Sequence, residues 1–264
     1  MFVDKHEGVG LAARSVAVVN QKGGVGKTTT AVNLAAGLAL TGRRILLVDL
    51  DPQGNATTGL GVPKTDLYPT IYHVLLGAES IEKAVRDTAV PDLSLLPSDI
   101  DLVGAEIELV SLDRREHRLH DALLPMLDVY SYIVIDCPPS LGLLTINALA
   151  AADRVLVPLQ CEFYALEGLT HLLKTVKLVR ERLNPRLAIQ GIVLTMFDGR
   201  TSLALQIRDE VQRYFPGEIF QTVIPRNVRL SEAPSHGKPV MLHELKSSGA
   251  LAYLDLTREV IRHE

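Results

Sequence analysis

Short apolar runs recur along the chain and alternate with longer segments that have helical spacing. Six of these runs are predicted to be strands: residues 15–20, 44–49, 93–97, 132–136, 154–159 and 189–195. Runs that are almost continuously apolar and rich in β-branched residues are typical of a sheet that is buried on both faces. The pattern therefore predicts a sheet with helices on its two sides.

The segments between the apolar runs supply those helices. Helical spacing covers residues 28–40, 104–112, 116–124, 143–150, 166–183 and 202–214, and the pattern is weakest over residues 59–99. Strands that alternate with helices imply right-handed βαβ units and a mostly parallel sheet. We therefore predict an α/β fold with one doubly wound sheet, formed by a single domain over residues 15–264, and a flexible tail over residues 1–14.

The last segment of the chain has the signals of a C-terminal helix. Ser247 or Ser248 is placed to cap its start, because a serine hydroxyl accepts a hydrogen bond from a free backbone N–H group. Its apolar residues Leu251, Leu254 and Val260 are expected to face the core.

Composition and charge narrow the functional classes. The 264 residues are 47% hydrophobic and 22% charged, which is typical of a soluble globular protein. The net charge of −4 gives no chain-wide basic signature, so any binding of nucleic acid requires a local patch. Two distant cysteines, Cys137 and Cys161, argue against a disulfide framework, a zinc site or an iron–sulfur cluster. A cytoplasmic location is expected.

A glycine-rich loop follows the first predicted strand and opens the first predicted helix. It is contained in the stretch "VVNQKGGVGKTTTAVNLA", where Gln21 replaces the first glycine of the phosphate-binding pattern and Lys22 adds a second lysine. Glycines let backbone N–H groups curl around phosphate oxygens at a helix N-terminus. The predicted phosphate-binding residues of the loop are Gly23, Gly24, Val25, Gly26, Lys27, Thr28 and Thr29.

These residues have distinct expected roles toward a nucleoside triphosphate with its Mg²⁺ ion. Lys27 is expected to reach the β- and γ-phosphates, Thr28 to place its hydroxyl on Mg²⁺, and Thr29 to contact the α-phosphate. Three acids, Asp49, Asp51 and Asp136, follow or end two buried strands. Ligands bind beyond the carboxyl ends of such strands, so the acids should face the same crevice as the loop.

Four motifs together resemble the ParA/Soj family of chromosome-partitioning ATPases, in the deviant Walker A class. They are "KGGVGKTT", "VDLDPQGN", "IDCPPS" and "VIPRNVRLSEAPSHGKPV", and the resemblance extends from Ser15 onward. The first motif is shared with relatives such as MinD, whereas the run "IPRNVRLSEAPS" is more characteristic of ParA/Soj. ATP and Mg²⁺ are the cofactors that this resemblance implies.

The resemblance also implies roles for the added lysine and for the acids. Lys22 corresponds to the signature lysine, which reaches across a nucleotide-sandwich homodimer to the phosphates of the other subunit. Asp51 would position or activate the attacking water, while Asp49 and Asp136 would support Mg²⁺ through waters. The segments "DPQGNATTG" and "DCPPSLG" would be two switches that the γ-phosphate orders.

The late loops are expected to hold the base and to contact DNA. Candidate adenine contacts are Met196, Pro225 and Asn227. The family resemblance implies that the ATP-bound dimer binds double-stranded DNA non-specifically through Arg200 and Arg229, with Arg226 and Lys238 close by in sequence. It further implies a ParB-like partner that stimulates hydrolysis, and a nucleoid-associated protein without stable membrane association.

Other functions share parts of this pattern. A MinD-like positioning protein would need a basic, strongly amphipathic C-terminal helix for membrane binding, and the segment "LAYLDLTREVIRHE" mixes acids among its bases. A metabolic ligase on the same fold stays open, because a fold does not fix a function. A reductase component lacks a paired cysteine ligand set, and Asp51 argues against a binding switch without hydrolysis.

Overall fold

A computed structural model describes residues 13–263 of the chain. The predicted flexible tail comprises residues 1–14, of which residues 1–12 lie outside the described part of the chain. Arg14 belongs to the first strand. The division into a tail and one domain stays a prediction.

Within the described residues, eight strands form one sheet in the order β3-β4-β2-β5-β1-β6-β7-β8. All neighbouring strands run parallel except β3 and β4. The strands are β1 (Arg14–Val18), β2 (Ile45–Asp49), β3 (Arg86–Asp87), β4 (Leu93–Leu96), β5 (Tyr132–Asp136), β6 (Arg154–Gln160), β7 (Ala188–Phe197) and β8 (Ile219–Pro225). The predicted doubly wound, mostly parallel α/β fold is confirmed.

Helices cover the two faces of this sheet. They are α1 (Lys27–Ala39), α2 (Asn55–Gly59), α3 (Ile71–Leu76), α4 (Ile81–Ala84), α5 (Leu102–Glu108), α6 (Arg118–Leu123), α7 (Leu143–Ala151), α8 (Ala165–Arg182), α9 (Ser202–Tyr214), α10 (Val228–Glu232), α11 (Val240–His243) and α12 (Ser248–Arg262). Short 3₁₀ turns occupy Leu109–Ser111, Leu124–Met126 and Ala233–His236. No helix in residues 13–263 is long and apolar enough to span a membrane.

The core has two layers because successive strand side chains point to opposite faces of the sheet. Val16 and Val18 of β1 pack on the layer that contains α1 and α12, whereas Ala17 and Val19 pack on the layer that contains α7 and α8. Both faces of the central strands are therefore buried, which explains their continuous apolar sequences.

The parallel register brings the predicted acids together. β2 pairs with β5 so that Asp49 lies directly opposite Asp136, and β1 pairs with the other edge of β5 so that Val18 lies opposite Asp136. The glycine-rich loop leaves β1 at this same edge. The loop and both carboxylates consequently meet at the carboxyl end of the sheet, as predicted.

Three features of the fold differ from the sequence prediction. The two-residue strand β3 was not predicted, because it lies within residues 59–99, where the pattern is weakest. The edge strand β8 was not among the predicted strands either, because its sequence IFQTVIP mixes buried and exposed positions instead of forming a continuous apolar run.

In α12 the expected inward position of Leu251 is wrong, since this side chain is 51% exposed. Val260 is buried as expected, and Leu254 is partly buried against the core. The other large buried side chains of the helix are Tyr253 and Leu256. Ser247 caps the helix through Ala250.

Candidate nucleotide site

The glycine-rich loop has a backbone that only glycine adopts without strain. Gly24 and Gly26 have φ angles of 76° and 88°, in the left-handed region where a side chain is disfavoured. Gly26 is the residue before α1, and no side chain caps this helix start. The first N–H groups of α1 therefore remain available to an anion, and the helix dipole favours negative charge there.

Three polar contacts fix the loop against neighbouring strands. The Asn20 side chain donates to the Pro158 carbonyl oxygen at 2.7 Å and accepts from the Lys22 N–H at 3.0 Å. The Thr195 hydroxyl donates to the Val25 carbonyl oxygen at 2.8 Å. Sequence reasoning missed both anchors. Asn20 had a usable signal, because an asparagine directly before a glycine run commonly bonds to the backbone two residues on.

The two lysines of the loop occupy different environments. Lys27 is buried, and its ammonium donates to the carbonyl oxygen of Lys22 at 2.8 Å, inside the curl of the loop. Burial lowers the pKa of Lys27, while the charges of Asp136 and Asp51 oppose that shift. The Lys22 ammonium instead points out of the loop, where it is exposed and pairs with the carboxylate of Glu162. Sequence reasoning did not single out Glu162.

Asp49 is buried and held by hydrogen bonds from the first predicted switch. Its Oδ2 atom accepts from the Thr57 N–H and from the Thr57 hydroxyl, each at 2.7 Å. Burial raises the pKa of Asp49 to about 6, although the bonds from Thr57 oppose this rise. Asp51 is 7% exposed, and its Oδ1 atom accepts from the Gln53 N–H at 2.9 Å.

Asp136 is fully buried, and neither of its carboxylate oxygens has a hydrogen-bond partner within residues 13–263. Burial raises the pKa of Asp136 well above its usual value, and the charge of Asp49 raises it further. Thr28 and Lys27 are close enough to oppose this shift. A buried, unpaired carboxylate is unfavourable unless a cation lies nearby. Thr28, Asp49 and Asp136 thus fit the surroundings of a hydrated Mg²⁺ ion, which commonly takes one or two carboxylates together with phosphate and water.

The predicted adenine contacts come together at one cavity beside the loop. Met196, Pro225 and Asn227 line a cavity of about 200 Å³, which Gly26 and Tyr253 also border. The three residues meet because β7 and β8 are paired at their carboxyl ends. Met196 has a φ of 48°, an uncommon backbone conformation for a residue other than glycine. The assignment of these residues to a base stays a prediction.

The two arginines predicted to bind DNA are exposed and ion-paired. Arg200 makes two bonds to the Asp198 carboxylate, at 2.8 and 2.7 Å, and holds the pKa of that aspartate at about 2. Arg229 donates to Glu232 at 2.7 Å. Phe197 lies opposite Pro225 at the paired ends of β7 and β8, so the segments that follow these strands start side by side. Arg200 lies in the loop after β7, and Arg229 lies on α10.

The burial of Asp136 predicts a pH-dependent gain in stability when its charge is removed. An aspartate with a raised folded-state pKa binds its proton more tightly in the folded chain, so the free energy of unfolding falls as pH rises above the ordinary value of 3.8. Asp136→Asn avoids this loss. We expect the free energy of unfolding of the variant to exceed that of the wild type at pH 8, and the difference to be smaller near pH 5.

Urea unfolding of the nucleotide-free protein at both pH values measures this difference. The control is Asp198→Asn, because Arg200 keeps the pKa of Asp198 near 2 and its charge does not change in this range. A destabilised Asp136→Asn protein, or a difference that does not change with pH, would contradict the account of the buried carboxylate.

Known proteins resemble this chain over most of its length. A family model described as an AAA domain matches residues 13–189. The sporulation initiation inhibitor protein Soj of Bacillus subtilis is 57% identical over 93% of this chain and 97% of its own. The chromosome partitioning protein ParA of Myxococcus xanthus is 54% identical over 97% of this chain and 91% of its own.

A solved structure has the same fold. Cobyrinic acid a,c-diamide synthase from Mycobacterium smegmatis, crystallised with an ATP analogue and magnesium, superposes with a TM-score of 0.84. It is 39% identical to this chain, and the match covers 95% of both chains. The identity to Soj and ParA is higher, at 57% and 54%, over 93% and 97% of this chain. The chain belongs to the ParA/Soj family of chromosome-partitioning ATPases.

Proposed function

We propose that the protein is an ATP-dependent DNA-partitioning switch whose active site is completed by a second subunit. The main support for this proposal is that the two lysines of one loop lie in different environments. Lys27 is buried inside its own loop, where it donates to the Lys22 carbonyl oxygen, whereas the Lys22 ammonium is exposed and directed outward. A cation held outside its own phosphate site is available to the nucleotide of another subunit.

The ion pair that holds the Lys22 side chain in its outward position is weak. Its partner Glu162 is also exposed, and an exposed ion pair contributes at most about 1 kcal/mol to stability. Exchange of this carboxylate for a triphosphate of the facing subunit therefore costs little. Lys22 then neutralises charge that develops during phosphoryl transfer, and dimer formation and hydrolysis become one event.

Each subunit contributes the remaining groups to its own nucleotide. The N–H groups of residues 23–29 surround the phosphates, Lys27 contacts the β- and γ-phosphates, and Thr28 orients toward the metal together with Asp49 and Asp136. These three residues would hold Mg²⁺, which would supply positive charge against the triphosphate and the two carboxylates. Asp51 accepts a hydrogen bond from the attacking water and orients it.

The proposed DNA-binding surface consists of the loop after β7 and of α10, which follows β8. Arg200 and Arg229 are exposed there, and their pairs with Asp198 and Glu232 are of the weak surface type, so a DNA phosphate replaces either carboxylate at small cost. Dimer formation doubles the number of such contacts. Because affinity for DNA depends steeply on the number of neutralised phosphates, the dimer binds and the monomer releases.

The cycle then needs a partner that sets the timing of hydrolysis. We propose a ParB-like protein that stimulates a slow basal rate, with the ATP-bound dimer on the nucleoid and the hydrolysed form free in the cytoplasm. Cys137 is buried beside the acids and Cys161 is half-buried, in keeping with reduced thiols.

A MinD-like membrane function is disfavoured by the position of α12. Tyr253, Leu256 and Val260, which form its apolar side, are buried in the core. Membrane insertion would require this helix to undock, and of the residues of α12, all of which the structure describes, only Leu251 has a large exposed apolar side chain. Protein that sediments with anionic liposomes in the presence of ATP would support the membrane function instead.

An amide-forming enzyme is the second candidate. The observation that favours it is the similarity to the diamide synthase, which is 39% identical to this chain and superposes with a TM-score of 0.84. Such an enzyme would hydrolyse ATP only in the presence of a small-molecule acceptor, and it would be indifferent to DNA. Cosedimentation with DNA in ATP, in ADP and without nucleotide separates the two functions.

Removal of the Asp51 carboxylate should trap the ATP-bound dimer on DNA. Asp51→Ala keeps the phosphate loop and loses the group that orients water, so we expect hydrolysis to fall at least about 100-fold while ATP-dependent dimers persist. Single-turnover hydrolysis and analytical ultracentrifugation measure the two effects. Asp255→Ala, on the exposed side of α12, is the control. Normal hydrolysis by Asp51→Ala would refute the catalytic assignment.

Charge reversal at the DNA surface should separate DNA binding from dimer formation. We expect Arg200→Glu with Arg229→Glu to abolish cosedimentation with DNA and to leave ATP-dependent dimers intact. Wild-type binding should weaken as salt rises, with a slope of about 0.9 per phosphate contact and little dependence on base sequence.

The matched control for this pair reverses Arg114 and Arg258, which are exposed and ion-paired elsewhere on the surface. It changes the net charge by the same amount. DNA binding that falls equally in both double variants would show a chain-wide charge effect and contradict the proposed surface. Loss of dimers in the first variant would assign its arginines to the subunit interface.

A further inference from the structure

A stripe of large apolar side chains is exposed on α5, on the turn directly before it and on the 3₁₀ turn that continues it. Ile100, Val103, Ile107 and Val110 are 63%, 51%, 77% and 56% exposed. The opposite side of the same helix packs into the core through Leu102, Ala105 and Leu109. The helix therefore needs none of the four side chains for its own docking, and we name this stripe the α5 face.

The α5 face has the spacing of a coiled-coil seam. Its members are separated by three, four and three residues, so they occupy the a and d positions of two successive heptads. In this register Asp99 and Glu106 take the g positions that flank the seam. Asp101 and Glu108 take b positions, next to the uncharged e positions of the other flank. Seam residues of this kind insert between the side chains of a second helix.

The charge of the α5 face selects the type of helix that fits it. Residues 98–112 contain these four acids and no lysine, arginine or histidine. Charges beside a seam set partner choice, so the matching helix has basic residues beside its apolar ones. A second copy of α5 matches poorly, because antiparallel pairing brings acidic g positions against each other. The nearest cation at the far end, Arg115, is already bonded to Glu116.

Two contacts connect the α5 face with the nucleotide site. Directly before α5, the Ser98 N–H donates to the Thr57 hydroxyl at 3.0 Å, and that hydroxyl donates to Asp49 at 2.7 Å. On the helix itself, the Glu106 carboxylate lies against Gly142 so closely that a Cβ there would collide with it. Gly142 is the last residue of the second predicted switch, which begins at Asp136. A displacement of α5 is thus transmitted to both predicted switches.

We propose that the α5 face is the docking surface for a basic amphipathic helix of a partner protein, and that docking shifts the switches at the nucleotide site. The docking does not depend on the proposed function, whereas its effect on hydrolysis rests on it. Two heptads form a small interface, so the complex is transient.

The test of docking uses a labelled synthetic helix of about two heptads, with leucine at a and d and lysine at e and g. Fluorescence anisotropy is measured with the nucleotide-free protein. We expect the lysine peptide to bind, a glutamate version not to bind, and Val103→Ser with Ile107→Ser to weaken binding at least about tenfold. The exposed positions of both side chains leave the fold intact, which circular dichroism checks.

Leu251→Ser is the matched control, since Leu251 has similar exposure on α12. Equal binding by the double variant and the wild type would overturn the proposal, as would equal binding of the glutamate peptide. Loss of ATP-dependent dimers in the double variant would assign the face to a second copy of the chain and also overturn it.

The test of coupling measures ATP hydrolysis with saturating lysine peptide. We expect a several-fold change in the wild-type rate and none in the Val103→Ser and Ile107→Ser variant. Binding at the face without a change in rate would overturn the link to the switches. A wild-type protein that hydrolyses no ATP under any condition would refute the proposed function and leave the anisotropy result valid.

Discussion

The site is organised around a negative charge that the fold buries without a partner. Parallel pairing of β2 and β5 fixes Asp49 opposite Asp136, and neither oxygen of Asp136 accepts a hydrogen bond within the described residues. Thr57 satisfies Asp49, so the unfavourable charge is concentrated on Asp136. The loop adjacent to it presents the start of α1, Lys27 and Thr28. A bound Mg²⁺ ion would add positive charge to that of Lys27 and so offset the cost of this buried carboxylate.

The arrangement also explains why one loop carries two lysines. Lys27 is enclosed by its own loop and faces the acids, so it is committed to the subunit's own nucleotide. Lys22 is exposed and only weakly held by Glu162. The α5 face and the two arginines lie on segments that follow the carboxyl ends of β4, β7 and β8, at the same edge of the sheet as the nucleotide site. Hydrogen bonds through Ser98 and Thr57 connect the α5 face with Asp49, and the proposed DNA-binding arginines follow the paired strands β7 and β8.

Sequence reasoning recovered the central strands because continuous apolar runs and strand-end acids have few alternative explanations. It missed β8, where an edge strand mixes exposed and buried positions, and it misplaced Leu251 because its side of α12 depends on packing against α1. At the site, the motif located the loop and the acids. The anchors Asn20 and Thr195 and the pairing of Lys22 with Glu162 could not be predicted, because they depend on distant segments that only the fold brings together. The α5 face gave no signal in the sequence, since an exposed apolar stripe and a buried one have the same spacing.

Subunit complementation tests the trans role of Lys22 most directly. A Lys27→Ala subunit holds its own nucleotide poorly but still offers Lys22, whereas a Lys22→Ala subunit holds nucleotide but offers nothing to its neighbour. Each variant alone should hydrolyse ATP very slowly. In an equal mixture half of the dimers are mixed and each has one complete site, so the account predicts recovery to about a quarter of the wild-type rate. A mixture that is no more active than the sum of its two components would contradict the claim that the loop serves two active sites.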